Sequence, residues 1–285
     1  MIENAYAKIN LFLDVIERRD DGFHNLRSVM HSVSLCDELK FEFEKSDDVS
    51  IELTSNIPEL AGESNLVVRA ARLYMERAGV NGKVKIHLEN RIPIGAGLGG
   101  ASSDAAATLR ALNRRFERFS EDSMLSLCAE IGSDVAFCYK GGTAVCEGRG
   151  EILTPIDFAE KLNFVISIGE ERVSTPKAYA ALDEKFSNFD GTVEKSNVLN
   201  SPIIPFDNKT EDPVRLYNIF EEIAVDEIKS VSKLKNNLLE LGAKYTLMTG
   251  SGPAVFAIFE DEKTATFAAN KVKLDGFFAV CCHSV

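Results

Sequence analysis

The chain has 285 residues, 45% of them apolar and 27% charged, enough for a full core in one large or two ordinary domains. Its 32 basic and 44 acidic side chains leave a net charge of −12, which argues against nucleic acid or an anionic membrane surface as a partner. No apolar run is long enough to span a membrane, and Met1-Ile-Glu-Asn-Ala5 lacks the basic and apolar regions of a secretion signal, so a cytoplasmic protein is expected. Six cysteines without a Cys-x-x-Cys pair and four scattered histidines point to unbridged thiols and no metal site.

In chain order, Tyr6 to Val15 reads as a strand, Leu26 to Phe43 as a second extended stretch, and Val49 to Thr54 alternates. Asn65 to Ala78 carries a helical apolar pattern, with Ser64 as the expected cap and Gly79 as the terminator. Lys83 to Glu89 alternates polar and apolar, which predicts one wet face and an antiparallel setting. A glycine-rich loop follows, then a helix from Asp104, a second helix over Ser120 to Ile131, and a strand at Thr143 to Cys146. A second unit is expected from Lys161, giving domains 1–160 and 161–285. Within it, Phe164 to Ile168 reads as a strand and Thr175 to Glu184 as a helix opened by Pro176. Residues 186–212 read as loops and turns. Leu216 to Ile228 and Ser230 to Leu241 read as helices. Strands at Lys244 to Met248 and Ala254 to Phe259 flank the turn Thr249-Gly-Ser-Gly-Pro253, before a helix over Glu262 to Lys273 and a last strand, Phe277 to Cys282. The pattern is α+β, and its second half is close to ferredoxin-like.

The densest signal lies at Pro93-Ile-Gly-Ala-Gly-Leu-Gly-Gly-Ala-Ser-Ser-Asp-Ala-Ala-Ala107. Gly95, Gly97, Gly99 and Gly100 let backbone N–H groups approach a ligand closely. A glycine loop that opens into a helix is an anion cradle, because uncapped N–H groups and the positive end of the helix dipole face one point. The expected ligand is a phosphate. Gly95, Gly97 and Gly100 also fit the dinucleotide fingerprint, but that needs a buried parallel strand just before it. The P-loop pattern and the protein-kinase His-Arg-Asp and Asp-Phe-Gly signatures are absent. The plainer alternative is a structural turn backed by a small-residue helix. An acidic chain that binds polyphosphate needs local positive potential, so Mg2+ is expected to arrive with the nucleotide.

Ala5-Tyr-Ala-Lys-Ile-Asn-Leu11, the glycine loop, and Met248-Thr-Gly-Ser-Gly-Pro-Ala-Val-Phe256 together resemble the galactose, homoserine, mevalonate and phosphomevalonate (GHMP) kinase family. They sit at the start, middle and end of the chain. The resemblance implies a two-domain α+β GHMP kinase fold, with a ribosomal S5 domain 2-like N-terminal half and a ferredoxin-like C-terminal half. It also implies an ATP-dependent small-molecule kinase. Ala101 stands where the family often has a glycine, and its methyl is expected to tighten the loop slightly. Asp21-Gly-Phe-His-Asn-Leu26, Ile131-Gly-Ser-Asp-Val135 and Val173-Ser-Thr-Pro-Lys-Ala-Tyr179 are similar to the branch of the family that phosphorylates a cytidyl diphosphate-linked polyol in isoprenoid synthesis.

By that resemblance Asp134 is the catalytic acid residue and Lys8 its partner. Pro93, Gly95, Gly97, Leu98, Gly99, Gly100, Ala101, Ser102 and Ser103 would hold ATP, with Asn65 near the adenine. Phe23 and Tyr179 would flank the cytosine and His24 would bond its edge, with Asn10, Thr175, Gly250 and Ser251 completing the substrate set. Without the resemblance these residues have ordinary readings. Lys8 and Asn10 share one face of a strand, which is usually solvated. Asp134 would be a helix cap, Phe23 and Tyr179 core aromatics, and His24 a loop histidine beyond the Asp20-Asp-Gly22 turn. The competing functions are a sibling kinase for mevalonate, homoserine or a sugar, a non-catalytic nucleotide-binding relative, and an ATP-consuming decarboxylase of the same family.

Overall fold

The computed structural model describes residues 1–157, 161–171, 173–185, 203–204, 214–223 and 228–285. Most of the stretch 186–212, expected as loops and turns, lies outside the described residues. The chain forms two compact units, one of Met1–Lys8, Leu35–Ile94 and Gly99–Gly141, the other of Ile9–Ser34, Gly95–Leu98 and Gly142–Val285. Two long strands, β1 (Ile2–Arg18) and β2 (His24–Glu44), contribute residues to both.

In the first unit, β3 (Val49–Ser55) leads through helix α1 (Leu66–Ala78) to β4 (Gly82–Glu89). Val84, Ile86 and Leu88 of β4 are buried while Lys83 and Lys85 face outward to pair with Glu52 and Glu44, as the alternation predicted. The antiparallel setting holds only on one side. β4 is antiparallel to Glu38–Glu44 of β2 but parallel to β3, because a helical crossover returns the chain in the same direction. Asn65, rather than Ser64, caps α1, its Oδ1 accepting from the Val67 N–H at 2.9 Å. Three further helices follow, α2 (Gly100–Phe116), α3 (Glu121–Ile131) and α4 (Val135–Lys140). The alanines of α2 (Ala105, Ala106, Ala107 and Ala111) are wholly buried, and their small size lets α1 pack closely on it.

In the second unit, β5 (Thr143–Glu147) joins Ser28–His31 of β2 and turns through Gly148 and Gly150 into β6 (Ile152–Ile156), a strand the sequence pattern did not suggest. β7 (Asn163–Ile168) and α5 (Thr175–Lys185) come next. They are followed by the two-residue strands β8 (Ile203–Ile204), β9 (Val214–Arg215) and β10 (Tyr217–Asn218). The chain ends with α6 (Lys229–Glu240), β11 (Tyr245–Met248), β12 (Val255–Phe259), α7 (Glu262–Leu274) and β13 (Phe278–His283). β11, β12, β7 and β13 form one antiparallel sheet in that order, the ferredoxin-like arrangement expected. Val165, Val231, Leu234, Val255, Ala268 and Val272 close its core.

Leu216–Ile228 is not the single helix predicted. Tyr217 and Asn218 instead run parallel to Phe12 and Leu13 of β1, and residues 224–227 lie outside the described set. Tertiary pairing outweighs the helical pattern there. No described helix is long and apolar enough to cross a membrane.

Candidate active site

In the first unit the site begins with β1. Ala5 and Ala7 are wholly buried on one face, and Lys8 on the other face is covered as well, with 6% of its side chain accessible. A buried ammonium is costly without an anion beside it. Lys8 Nζ lies 3.3 Å from Asp134 Oδ2. Asp134 occupies the N-cap of α4, where a carboxylate ordinarily accepts from a first-turn N–H. Here it makes no cap bond, and 29% of its side chain stays accessible. The lysine is therefore enclosed and the carboxylate can be reached.

The start of α2 meets the same lysine. Gly99 caps the helix at φ +70° with no side chain, so the opening N–H groups keep their dipole-aligned direction. A Cβ at Gly99 would lie 2.9 Å from Lys8 Cγ, so the missing side chain is the space that the lysine stem fills. Ala101 is exposed in the first turn, and Ser102 is half-buried. Ser103 is buried, and its hydroxyl donates to the Tyr6 carbonyl at 2.7 Å, tying α2 to β1.

Further side chains, most of them outside the three motifs, fix this arrangement. Arg110 of α2 donates to the Cys138 carbonyl at 2.7 Å and to the Asn4 carbonyl at 3.0 Å, joining α2 to α4 and β1. Asp37 Oδ1 accepts from the Ile92 N–H at 2.7 Å and also from the Arg91 N–H, and its Oδ2 accepts from Asn90 at 3.0 Å, which holds the chain just before Pro93. Asp104 meets the Asp37 carboxyl by a side-chain hydrogen bond. Burial first, and the charge of Asp37 second, hold Asp104 well above the usual carboxyl range. Burial, reinforced by the Asp134 charge, likewise pushes the Cys138 thiol far up.

In the second unit, Gly95 and Gly97 take φ +69° and +82°. Gly97 lies directly against the β11–β12 turn, where a Cβ would come 2.5 Å from the Thr249 carbonyl oxygen. Asn10 is 1% exposed, its Oδ1 accepting from the Gly250 N–H at 3.1 Å and its Nδ2 donating to Ser28 at 2.7 Å. The Thr175 and Ser251 hydroxyls lie 2.9 Å apart. His24 Nε2 lies 2.7 Å from Asp183 Oδ1, and its ring stacks on Tyr179 at 4.8 Å. Tyr179 in turn packs edge-on against Phe220 at 4.9 Å. Phe23 stands apart from this stack. It is 52% exposed, follows the turn made by Asp21 and Gly22, and has the Arg149 guanidinium 5.0 Å over its ring.

Comparisons with known proteins identify the family. The GHMP kinases N terminal domain matches residues 65–142, and the GHMP kinases C terminal domain matches residues 211–276. A 4-diphosphocytidyl-2-C-methyl-D-erythritol kinase of Caldicellulosiruptor saccharolyticus is 41% identical over 278 residues, 96% of this chain and 93% of its own. That of Acetivibrio thermocellus is 36% identical over 271 residues, 94% of this chain and 93% of its own. The chain belongs to the 4-diphosphocytidyl-2-C-methyl-D-erythritol kinase family, within the GHMP kinases.

A solved 4-(cytidine 5'-diphospho)-2C-methyl-D-erythritol kinase is similar in fold, with a TM-score of 0.81 at 32% identity and full coverage of both chains. The Methanococcus jannaschii mevalonate kinase, at 15% identity, covers 100% of this chain and 98% of its own with a TM-score of 0.68, which speaks to fold alone. As a GHMP kinase, the chain is an ATP-dependent small-molecule phosphotransferase. Of the residues singled out from sequence, the first unit brings together Lys8, Asp134 and Gly99, and the second brings together His24 with Tyr179, Thr175 with Ser251, and Asn10 with Gly250. Asn65 has its amide oxygen on the Val67 N–H and its amide nitrogen on the Leu60 carbonyl. Sequence reasoning passed over Asp37, Asp104, Arg110, Asp183 and Asn218. Of these only Asp104 lies inside one of the motifs. Among the described residues no group of three or more His, Cys, Asp or Glu side chains could hold a metal.

Proposed function

We propose that this kinase transfers the γ-phosphoryl group of ATP to the 2-hydroxyl of 4-diphosphocytidyl-2-C-methyl-D-erythritol, in the non-mevalonate route to isoprenoid precursors. The observation that carries the reading is the enclosed Lys8, 3.3 Å from an accessible Asp134 and in contact with Gly99 at the start of α2. Asp134 accepts a hydrogen bond from the acceptor hydroxyl and takes its proton. Lys8 keeps the carboxylate oriented and offsets charge on the transferring group. Phosphoryl transfer through a loose transition state asks for positioning and charge stabilisation more than for a strong base.

Pro93 to Ser103 cradle the triphosphate through backbone N–H groups, with the Ser103 hydroxyl committed to holding β1. Asn65 serves the nucleotide end by fixing the start of α1. The donors present, the Asp134 carboxylate and the Ser102 hydroxyl, suit a Mg2+ ion that takes most of its ligands from phosphate and water. When bound, it neutralises charge on the phosphoryl oxygens.

His24, Tyr179 and Phe23 hold the cytosine. With Nε2 turned to Asp183, the His24 ring presents Nδ1 as an acceptor for the exocyclic amino group of the base. The Thr175–Ser251 pair and Gly250 serve the diphosphate, and Asn10 holds that turn in place. The functional boundary is drawn near residue 160, within the span between the family matches over 65–142 and 211–276.

Coupled ADP release should be measured with 4-diphosphocytidyl-2-C-methyl-D-erythritol, mevalonate and homoserine as acceptors. Turnover is expected with the first alone. Equal or greater kcat/KM on another alcohol would reject the substrate, and ATP binding without turnover on any of them would reject the catalytic reading.

A further inference from the structure

Asn218 lies in none of the three motifs, yet it grips the turn against which Gly97 rests. Its Nδ2 donates to the Met248 carbonyl at 2.7 Å and to the Gly250 carbonyl at 2.8 Å, and its Oδ1 accepts from the Phe220 N–H at 3.0 Å. Asn10 takes the other end of the same residue through the Gly250 N–H at 3.1 Å, while its own backbone N–H donates to Thr249 Oγ1 at 2.9 Å. Gly250 is therefore held at both N–H and C=O by two buried amides, 1% and 2% exposed. The clamped residue meets the glycine loop directly. A Cβ on Gly250 would stand 3.0 Å from the Gly97 carbonyl oxygen, and the Ala254 N–H donates to the Ala96 carbonyl at 3.3 Å. Two backbones packed this closely cannot shift independently.

We propose that Asn218 is a positioning residue for the ATP loop, acting through Gly250 on Gly97. The proposal rests on the assignment of Gly95–Ser103 to the triphosphate. Asn218 fits the role because both donor hydrogens of its amide are spent on successive parts of one turn, so its removal strands two buried carbonyls at once. Asn218→Asp keeps the shape but turns an acceptor toward both of them.

The test is a double-mutant cycle in the full-length enzyme with Asn218→Ala, Gly97→Ala and the pair. Each single change should raise KM for ATP about tenfold or more, the scale of a stranded buried group, and Asn218→Asp should match Asn218→Ala. In the Gly97→Ala background, Asn218→Ala should add less than about twofold, because both act on one contact. An unchanged KM for ATP in Gly97→Ala would remove the loop from ATP binding and the proposal with it. A raised KM in Gly97→Ala with an unchanged one in Asn218→Ala, or fully multiplicative effects, would reject Asn218 alone. If the Asn218 variants do not fold, hydrogen exchange on the unmodified enzyme decides. Because coupling is reciprocal, ATP should slow exchange over 217–220 several-fold along with 94–103, and slowing confined to 94–103 would overturn the proposal.

Discussion

The Lys8–Asp134 region and the His24–Tyr179 region solve opposite problems. In the first unit nearly everything is backbone or buried. A lysine with 6% accessibility sits under a side-chain-free helix start, and Arg110, Ser103 and Asp37 each bond main-chain groups. In the second unit the aromatic groups stand on a turn and on the first helix after β7, with Phe23 half exposed and His24 held by one carboxylate. On the proposed reading, the contrast separates what every phosphoryl donor shares from what distinguishes one acceptor. Triphosphate oxygens are the same for all alcohols and can be met by rigid N–H groups. A nucleobase is recognised by a face and an edge, which side chains supply.

If that division is right, damage to the first region should strike turnover, and damage to the second should strike substrate KM. The largest effect is expected from Asp134→Asn, with kcat lowered by at least about 10²-fold and ATP binding nearly intact. Turnover within a few-fold of the unmodified enzyme would take Asp134 out of the reaction.

The next concerns the buried Asp37–Asp104 pair. Because Asp104 holds its proton in the folded state to a higher pH than in the unfolded chain, the unfolded state releases its proton first as pH rises. Stability is therefore lost progressively above the ordinary carboxyl range. Asp104→Asn cannot lose that proton and still donates to Asp37. Its melting temperature relative to the unmodified enzyme should climb by a few degrees between pH 5 and pH 9, on the scale of roughly 2–4 °C per kcal/mol for a domain of this size. A constant gap across that range would mean that the two carboxyls do not share a proton.

In the second region, Tyr179→Ala should raise KM for the cytidyl substrate roughly tenfold, from about 1–3 kcal/mol of lost stacking, and leave KM for ATP in place. Equal changes in both constants would break the contrast. Phe23→Ala should have the smallest effect, about threefold on the same KM, because its exposed ring already rests against Arg149 rather than in the His24–Tyr179 stack. A larger loss for Phe23 than for Tyr179 would invert their ranking.

Legibility in the sequence followed the distance between partners. The strands, α1, α2, α3 and the ferredoxin-like order could be read because alternation and helical spacing are local. Lys8, Asp134 and the glycines could be read because they fall inside contiguous motifs. Asp37 could not, since the N–H groups it receives lie 54 and 55 residues further on. Arg110 acts on a carbonyl 28 residues away, and Asn218 on carbonyls 30 and 32 residues away. The same reach set Tyr217 and Asn218, at the start of the expected helix, beside Phe12 and Leu13 of β1 as a short strand. Ser64 lost the cap to its neighbour because Asn65 could satisfy the Val67 N–H and the Leu60 carbonyl together.

The contact between Gly99 and the Lys8 stem divides the loop into positions closed to redesign and positions open to it. A β-carbon at 99 would press on the Lys8 stem, so the lysine or the helix start would have to shift. Ala101, two places later and facing outward, already carries a methyl group. A bulkier side chain at 101 therefore leaves the Lys8 stem in place but stands in the cradle proposed for the triphosphate, so it would report on the nucleotide by competing with it.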